Sequence, residues 1–194
     1  VAYINPSFSP QNVKEMLEFA RKTPGGVSFG SGGAGTITHL VPEQLRDITG
    51  APLKHIVYKG GTPAMTDAIA GHIPMVFSTV GQALQQYRAK QLRALAVSSD
   101  KRYPSIPDVP TFREQGFDLV ACEWYGLFAP AGTPKPVVDK LNAEVSRIVR
   151  LPDLSDRLTA IELLSSTPQE LAEHVKKETV MWSALIRKLG LKAN

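Results

Sequence analysis

Residues 29–40 read FGSGGAGTITHL, with four glycines, one serine and one threonine in the first eight positions. The preceding VSFG, residues 27–30, reads as a brief strand. Residues 38–49 read as a helix that Gly50 stops, because glycine accepts the left-handed conformation that ends helices. A strand that feeds a glycine turn and then a helix is the basic joint of an α/β sheet. The chemistry of this turn and the recurrence of the joint downstream decide the fold.

The turn has the makings of an anion site, since bare glycine backbone lets successive amides approach a ligand beside a helix N-terminus. It is not a Walker A loop, because no Gly-Lys-Ser/Thr follows. It matches Gly-x-Gly-x-x-Gly at Gly30, Gly32 and Gly35, but no acidic residue stands at a second strand end to hold a ribose. Ser31, His39 and Asp67 invite a catalytic-triad reading with loop amides as an oxyanion hole. Against it, a histidine one turn into a helix is commonly a packing or capping residue. The plain alternative to all of these is a tight strand-to-helix turn.

Outward from the turn, the joint repeats. Upstream, residues 1–5 read as a strand, Ser9-Pro10 as a helix start, and Val13, Met16, Leu17 and Ala20 as its apolar face. Downstream, LKHIVY, IPMVFS and LRALAVSS read as strands, separated by the helical GGTPAMTDAIAG and VGQALQQYRAKQ. Short strands alternating with helices predict an α/β lobe with a mostly parallel sheet. In such sheets ligands sit at the carboxyl ends of strands, where Ser31 and Tyr58 fall. Lys59 is expected to face solvent, and Val76-Phe77-Ser78-Thr79 is a third strand end, with two hydroxyls. Residues 100–110 form a proline-punctuated loop, and the pattern changes near residues 123–129. Trp124 and Tyr125 either close a cleft or pack at that boundary. Residues 135–150, 153–161 and 168–189 then read as three helices.

Composition narrows the function classes. Of 194 residues, 43% are hydrophobic and 21% charged, enough to bury a core. No apolar run approaches the roughly 18 residues of a membrane helix. The net charge of +4 is spread without a polybasic block, which disfavours nucleic acid and suits small anions. A lone cysteine, Cys122, excludes an internal disulfide and a cysteine-based zinc site. His39, His55, His72 and His174 show no paired ligand spacing. We therefore expect no metal, no nucleotide, no cofactor and no catalytic residue.

In this order the segments FGSGGAGTITHL, HIVYKGGTPAMTDAIAGHIPMVFST, LRALAVSSDKRYPSIPDVPTFREQGF, WYGLFAPAGTPKPVVDKLNAEV and PQELAEHVKKETVMWSALIRKLGLKA cover nearly the whole chain. They resemble the substrate-binding proteins of tripartite tricarboxylate transporters, the TctC-like family called Bug proteins in Bordetella. The resemblance implies a type II periplasmic-binding-protein fold, with a small carboxylate clamped between two lobes and delivered to membrane permease subunits. It implies a complete lobe over residues 6–122. Residues 123–194 would then be the helical C-terminal part of the other lobe, with residues 1–5 as a crossing strand.

The N-terminal loop of that other lobe has no counterpart here, so its helices are expected to expose the face of Val137, Val138, Leu141, Val145 and Ile148. The implied ligand set is Ser31, Gly33, Ala34, Gly35, Thr36, Tyr58, Ser78 and Thr79. The amides of residues 31–36 are expected to point at one carboxylate. Ser78 stands where many members carry Asp, which argues for a plain carboxylate over an amino acid. The runner-up reading is a truncated lobe that binds no solute and persists through self-association or a protein partner.

Overall fold

Ala2, Tyr3 and Ile4 form strand β1 (Ala2–Ile4), and all three side chains are fully buried. This is the run expected of an inner strand covered on both faces. The computed structural model describes residues 1–158 and 161–191. They divide into two units, Val1–Glu123 with Leu191, and Trp124–Gly190.

In the first unit β1 is followed by α1 (Val13–Lys22), β2 (Val27–Gly30), α2 (Ile37–Thr49), β3 (Leu53–Ile56), α3 (Gly61–Ala70), β4 (Met75–Phe77), α4 (Val80–Arg88) and β5 (Arg93–Ala96). The sheet order is β3-β2-β4-β1-β5. β2 pairs in parallel with β3 and β4, while β1 is antiparallel to both β4 and β5. Four strands therefore run one way, and β1 is reversed among them. Residues 1–5 thus lie inside this sheet, hydrogen-bonded on both sides.

The connection from β2 leads outward to β3, and that from β4 leads the other way to β5. The crevice between the carboxyl ends of β2 and β4 is a topological switch point, the place where open α/β sheets bind ligands.

Local signals set most element ends. Gly50 and Gly71 close α2 and α3 in the left-handed conformation, at φ +63° and +81°. The start of α1 corrects the sequence reading. Asn12, not Ser9, caps this helix, with its side chain accepting from the Glu15 amide at 2.8 Å. The Arg93 guanidinium holds the carbonyls of Phe8 and Pro10 and the Gln11 side chain, which keeps residues 8–11 out of the helix. The apolar face is as read: Val13, Met16, Leu17 and Ala20 are buried.

The second unit holds α5 (Lys135–Ile148), α6 (Pro152–Arg157) and α7 (Pro168–Leu189). Of the helix expected over 153–161, residues 159–160 lie outside the described residues. Thr167 and Glu170 form a reciprocal capping box at the start of α7. Neither α5 nor α7 contains a buried residue. Val137, Leu141 and Ile148 are 48%, 46% and 41% exposed, so the expected apolar face of α5 is open. Trp124 packs edge-on against His174, with ring centroids 4.9 Å apart, and Tyr125 is exposed.

Candidate functional site

Because β2, β3 and β4 are neighbouring parallel strands, the loops that follow them lie side by side at one sheet edge. They lead into α2, α3 and α4. A Cβ built on Gly32 would lie 3.7 Å from the Gly61 amide nitrogen, and one on Gly33 would lie 3.7 Å from the Tyr58 carbonyl. One on Gly61 would lie 2.8 Å from Oε1 of Gln82. The three segments thus lie within van der Waals contact of one another, and Gly33, at φ +137°, adopts a backbone conformation that residues with a side chain rarely reach.

The loop amides do not behave as expected from the sequence. The Gly32 amide donates to Thr38 Oγ1 at 3.0 Å, Gly33 to Ser31 Oγ at 3.2 Å and Gly35 to His39 Nδ1 at 3.0 Å. The Thr36 amide reaches the Gly33 carbonyl at 3.4 Å. Four of the amides expected to converge on a ligand are thus paired within the chain. The turn is tight enough that Thr38 and His39 in the first turn of α2 reach back to two of its amides, and Ser31 and the Gly33 carbonyl take the other two within the loop. Thr36 Oγ1 donates to the Gly33 carbonyl at 2.8 Å, and Thr38 completes the chain of hydroxyls at 2.9 Å.

Ser31, His39 and Asp67 are not assembled as a triad. Fully buried Ser31 pairs with Nε2 of His55 at 2.7 Å, not with His39. His39 stacks on His55, with ring centroids 3.9 Å apart at 20°, and His55 stacks on Phe29 at 5.0 Å. Burial, and secondly the neighbouring His39 ring, push the His55 imidazole down to about 4, against a smaller upward pull from Glu43. The Gly35 amide must donate, so His39 carries its proton on Nε2, which lies 3.7 Å from buried Glu43. Glu43 in turn pairs with Arg46.

Asp67 accepts from the Tyr58 hydroxyl at 2.7 Å and faces His72 at 3.3 Å. The Tyr58 bond, and secondly His72, hold its carboxyl below the usual carboxylate range. Burial and the bond to Asp67 push the Tyr58 phenol up to about 12. Tyr58 therefore turns its side chain along α3, over Gly30, and leaves its main chain at the strand end. Ser78 is buried, and its hydroxyl donates to Gln82 Oε1 at 3.0 Å. Thr79 caps α4 by accepting from the Gln82 amide at 3.3 Å. Each hydroxyl of the sequence-derived set thus takes part in building the scaffold.

Among the described residues, the amides of Ala34, Ile37 and Thr38 at the start of α2, and of Gly61 and Thr62 at the start of α3, have no acceptor within the chain. The Gln82 side-chain amide, with its oxygen engaged by Ser78, keeps Nε2 free to donate. No acidic residue stands in the first turn of α2, α3 or α4, whereas α1, α6 and α7 carry Glu15, Asp153 and Glu170 there. The positive ends of three helix dipoles thus share one edge without a compensating carboxylate. Gln82, Thr38, His55 and Glu43 were not singled out in the sequence. Helical spacing from a cap, Thr79 to Gln82, is the one local signal that could have found any of them.

The family model described as the tripartite tricarboxylate transporter family receptor, TctC, matches residues 1–191. The chain belongs to this family. Among curated proteins, a UPF0065 protein from the tcbD-tcbE intergenic region of Pseudomonas sp. (strain P51) is 38% identical over 190 residues, covering 95% of this chain and 56% of that protein. Among solved structures, Rpa4515 of R. palustris with adipate superposes with a TM-score of 0.87 at 25% identity, covering 98% of this chain and 65% of that one. MatC (Rpa3494) of Rhodopseudomonas palustris with bound malate gives 0.80 at 27% identity, covering 96% and 65%.

This TctC-family chain spans a little over half the length of the curated relatives it matches. The TctC neighbours share its α/β, binding-protein-like architecture. The family is one of receptors, not enzymes, which sets aside hydrolysis at Ser31. Among the described residues, no group of three or more His, Cys, Asp and Glu is placed to hold a metal ion. No described helix is long and apolar enough to cross a membrane.

Proposed function

We propose that this chain carries the solute-binding lobe of a periplasmic receptor that captures a small di- or tricarboxylate and delivers it to the membrane permease subunits of a tripartite transporter. The observation that carries this reading is the convergence of three acid-free helix N-termini at the switch point between β2 and β4. A carboxylate supplies the charge those termini lack, and it accepts from several fixed donors at once. Adipate and malate, bound by two structural relatives, are of this chemical class.

Within the set Ser31, Gly33, Ala34, Gly35, Thr36, Tyr58, Ser78 and Thr79, the proposed roles are now divided. The Ala34 amide, with those of Ile37 and Thr38, faces one carboxylate, and the Gly61 and Thr62 amides with Gln82 Nε2 supply a second group of donors. The remaining residues hold the loops in place.

Calorimetric titration with adipate, malate and succinate, and with aspartate as the amino counterpart of succinate, tests the reading. Binding of at least one plain dicarboxylate, and tighter binding of succinate than of aspartate, is the expected result. No heat from any of them at millimolar concentration would refute it.

A second reading is favoured by the open α5 face and the lack of buried residues in α5 and α7. In it the 194-residue chain binds no solute and covers these apolar side chains by self-association or with a protein partner. Light scattering separates the two: a mass that rises with concentration, together with no dicarboxylate effect on melting, is the result this reading expects.

A further inference from the structure

His39 is 4% exposed and sits at the third position of α2, where a side chain can reach back over the helix start. Its Nδ1 accepts the Gly35 amide at 3.0 Å. Gly33 and Gly35 adopt φ of +137° and +78°, and neither has a side chain with which to anchor the loop. The loop is held from outside it by Thr38 on Gly32 and His39 on Gly35, and from within by Ser31 on Gly33. We propose that neutral His39 is the positioning residue of this loop, and that its protonation releases Gly35 and lets residues 31–36 leave the shape that frames the solute edge. The consequence for binding rests on the function proposed above.

The chemistry of the bond makes the coupling obligatory. A main-chain N–H can only donate, so the bond from Gly35 needs the Nδ1 lone pair. A second proton on the imidazole occupies that lone pair and sets one N–H against another. The groups facing His39 are known on each side. From β3, His55 stacks on it at 3.9 Å, with Phe29 of β2 beyond. From α2, Glu43 lies 3.7 Å from Nε2, with its other oxygen held by Arg46. Ser31 in the loop holds His55. Two stacked rings at this separation do not both carry charge, so a proton taken up by the pair selects one ring. Glu43, 3.7 Å from Nε2, favours charge on the His39 ring, which then adds to the burial that disfavours charge on His55.

Two measurements on the 194-residue chain test this. The first needs no solute: imidazole nitrogen and Gly35 amide resonances are followed by NMR from pH 8 to pH 5. The expected result is the Nε2–H tautomer at pH 8, then loss of the Gly35 hydrogen-bond shift and at least a tenfold drop in the Gly35 exchange protection factor, taken against the intrinsic rate at each pH, in step with His39 protonation. An Nδ1–H tautomer at pH 8, a Gly35 amide indifferent to His39 titration, or a His39 still neutral at pH 5 overturns the proposal.

The second compares wild type with His39→Asn, whose Oδ1 offers Gly35 an acceptor that does not titrate in this range. Adipate affinity is expected to fall at least tenfold from pH 7.5 to 5.5 in wild type and less than threefold in the variant. Equal falls in both overturn the proposal. If adipate binds neither protein, malate and succinate take its place; if none of the three binds at any pH, the functional reading fails, and the NMR measurement still decides the positioning role.

Discussion

Ser31 Oγ stands 2.7 Å from Nε2 of His55, across the ends of two neighbouring parallel strands. The same hydroxyl takes the Gly33 amide at 3.2 Å. A serine–histidine contact of this length resembles a nucleophile and its base, yet here it is fully enclosed and ties a loop to a strand. Ser31→Ala should therefore cost stability and no chemistry. Removing a buried hydroxyl that serves two partners is expected to cost about 1–3 kcal/mol. Urea unfolding would measure this, and ester hydrolysis should be absent from wild type and variant alike. Turnover in wild type that vanishes in Ser31→Ala would show that a catalytic role had been missed.

Two glycines should respond differently to alanine. A Cβ on Gly26 would meet the Pro52 carbonyl oxygen at 2.0 Å, at a φ of +79° that L-residues rarely adopt. Backbone cannot yield as a side chain can, so Gly26→Ala should lose about 2–4 kcal/mol. On Gly61 the obstruction is Gln82 Oε1, the end of a flexible side chain. Gly61→Ala should cost less stability than Gly26→Ala, no more than the displaced Ser78–Gln82 bond, while weakening dicarboxylate binding. Melting curves and calorimetry on the pair would check both outcomes.

Gln82 keeps a side-chain donor, Nε2, while its oxygen is engaged by Ser78. Gln82→Ala should weaken succinate binding about tenfold, corresponding to about 1.4 kcal/mol, and should also cost about 1–3 kcal/mol of stability by leaving the buried Ser78 hydroxyl without its acceptor. Ser78→Asp should be poorly tolerated, because it places a carboxylate at a position that is 2% exposed and beside an oxygen acceptor. Its unfolding midpoint should drop well below that of Ser78→Ala.

The pH dependence of folding has a definite sign. His55 is neutral in the fold and held at about 4, against 6.5 for its unperturbed value. Between those values the unfolded chain binds the extra proton, so stability rises with pH. The contribution is complete above pH 6.5, declines as pH falls toward 4 and is absent below. Full burial would make it about 3 kcal/mol; for this half-buried ring about 1–2 kcal/mol is expected after solvent screening. Urea midpoints at pH 7, 5.5 and 4.5 would show the slope, and His55→Asn should flatten it. An unchanged slope in the variant would assign the effect elsewhere.

The order of strands and helices was legible in the sequence because each element there carries its own local instruction. The apolar spacing of Val13, Met16, Leu17 and Ala20 dictates one buried helix face. Gly50 and Gly71 end helices through a conformation that costs other residues more. The three strand-end loops could also be found, since glycines and hydroxyls between a strand and a helix mark the same joint each time.

What those residues do was decided by tertiary structure. The glycine loop reads as a row of free amides, but the fold brings Thr38 and His39 back over it to take two of them, and Ser31 and the Gly33 carbonyl take two more. Tyr58 reads as a cleft residue, and the length of α3 sets Asp67 where its hydroxyl lands. The partnership of Ser31 with His55 joins residues 24 apart in the chain, through a parallel register that no local pattern encodes. Hydrogen-bond donors are identical in sequence whether free or paired. Only the three-dimensional path of the chain determines which acceptors reach them, and so which donors remain for a ligand.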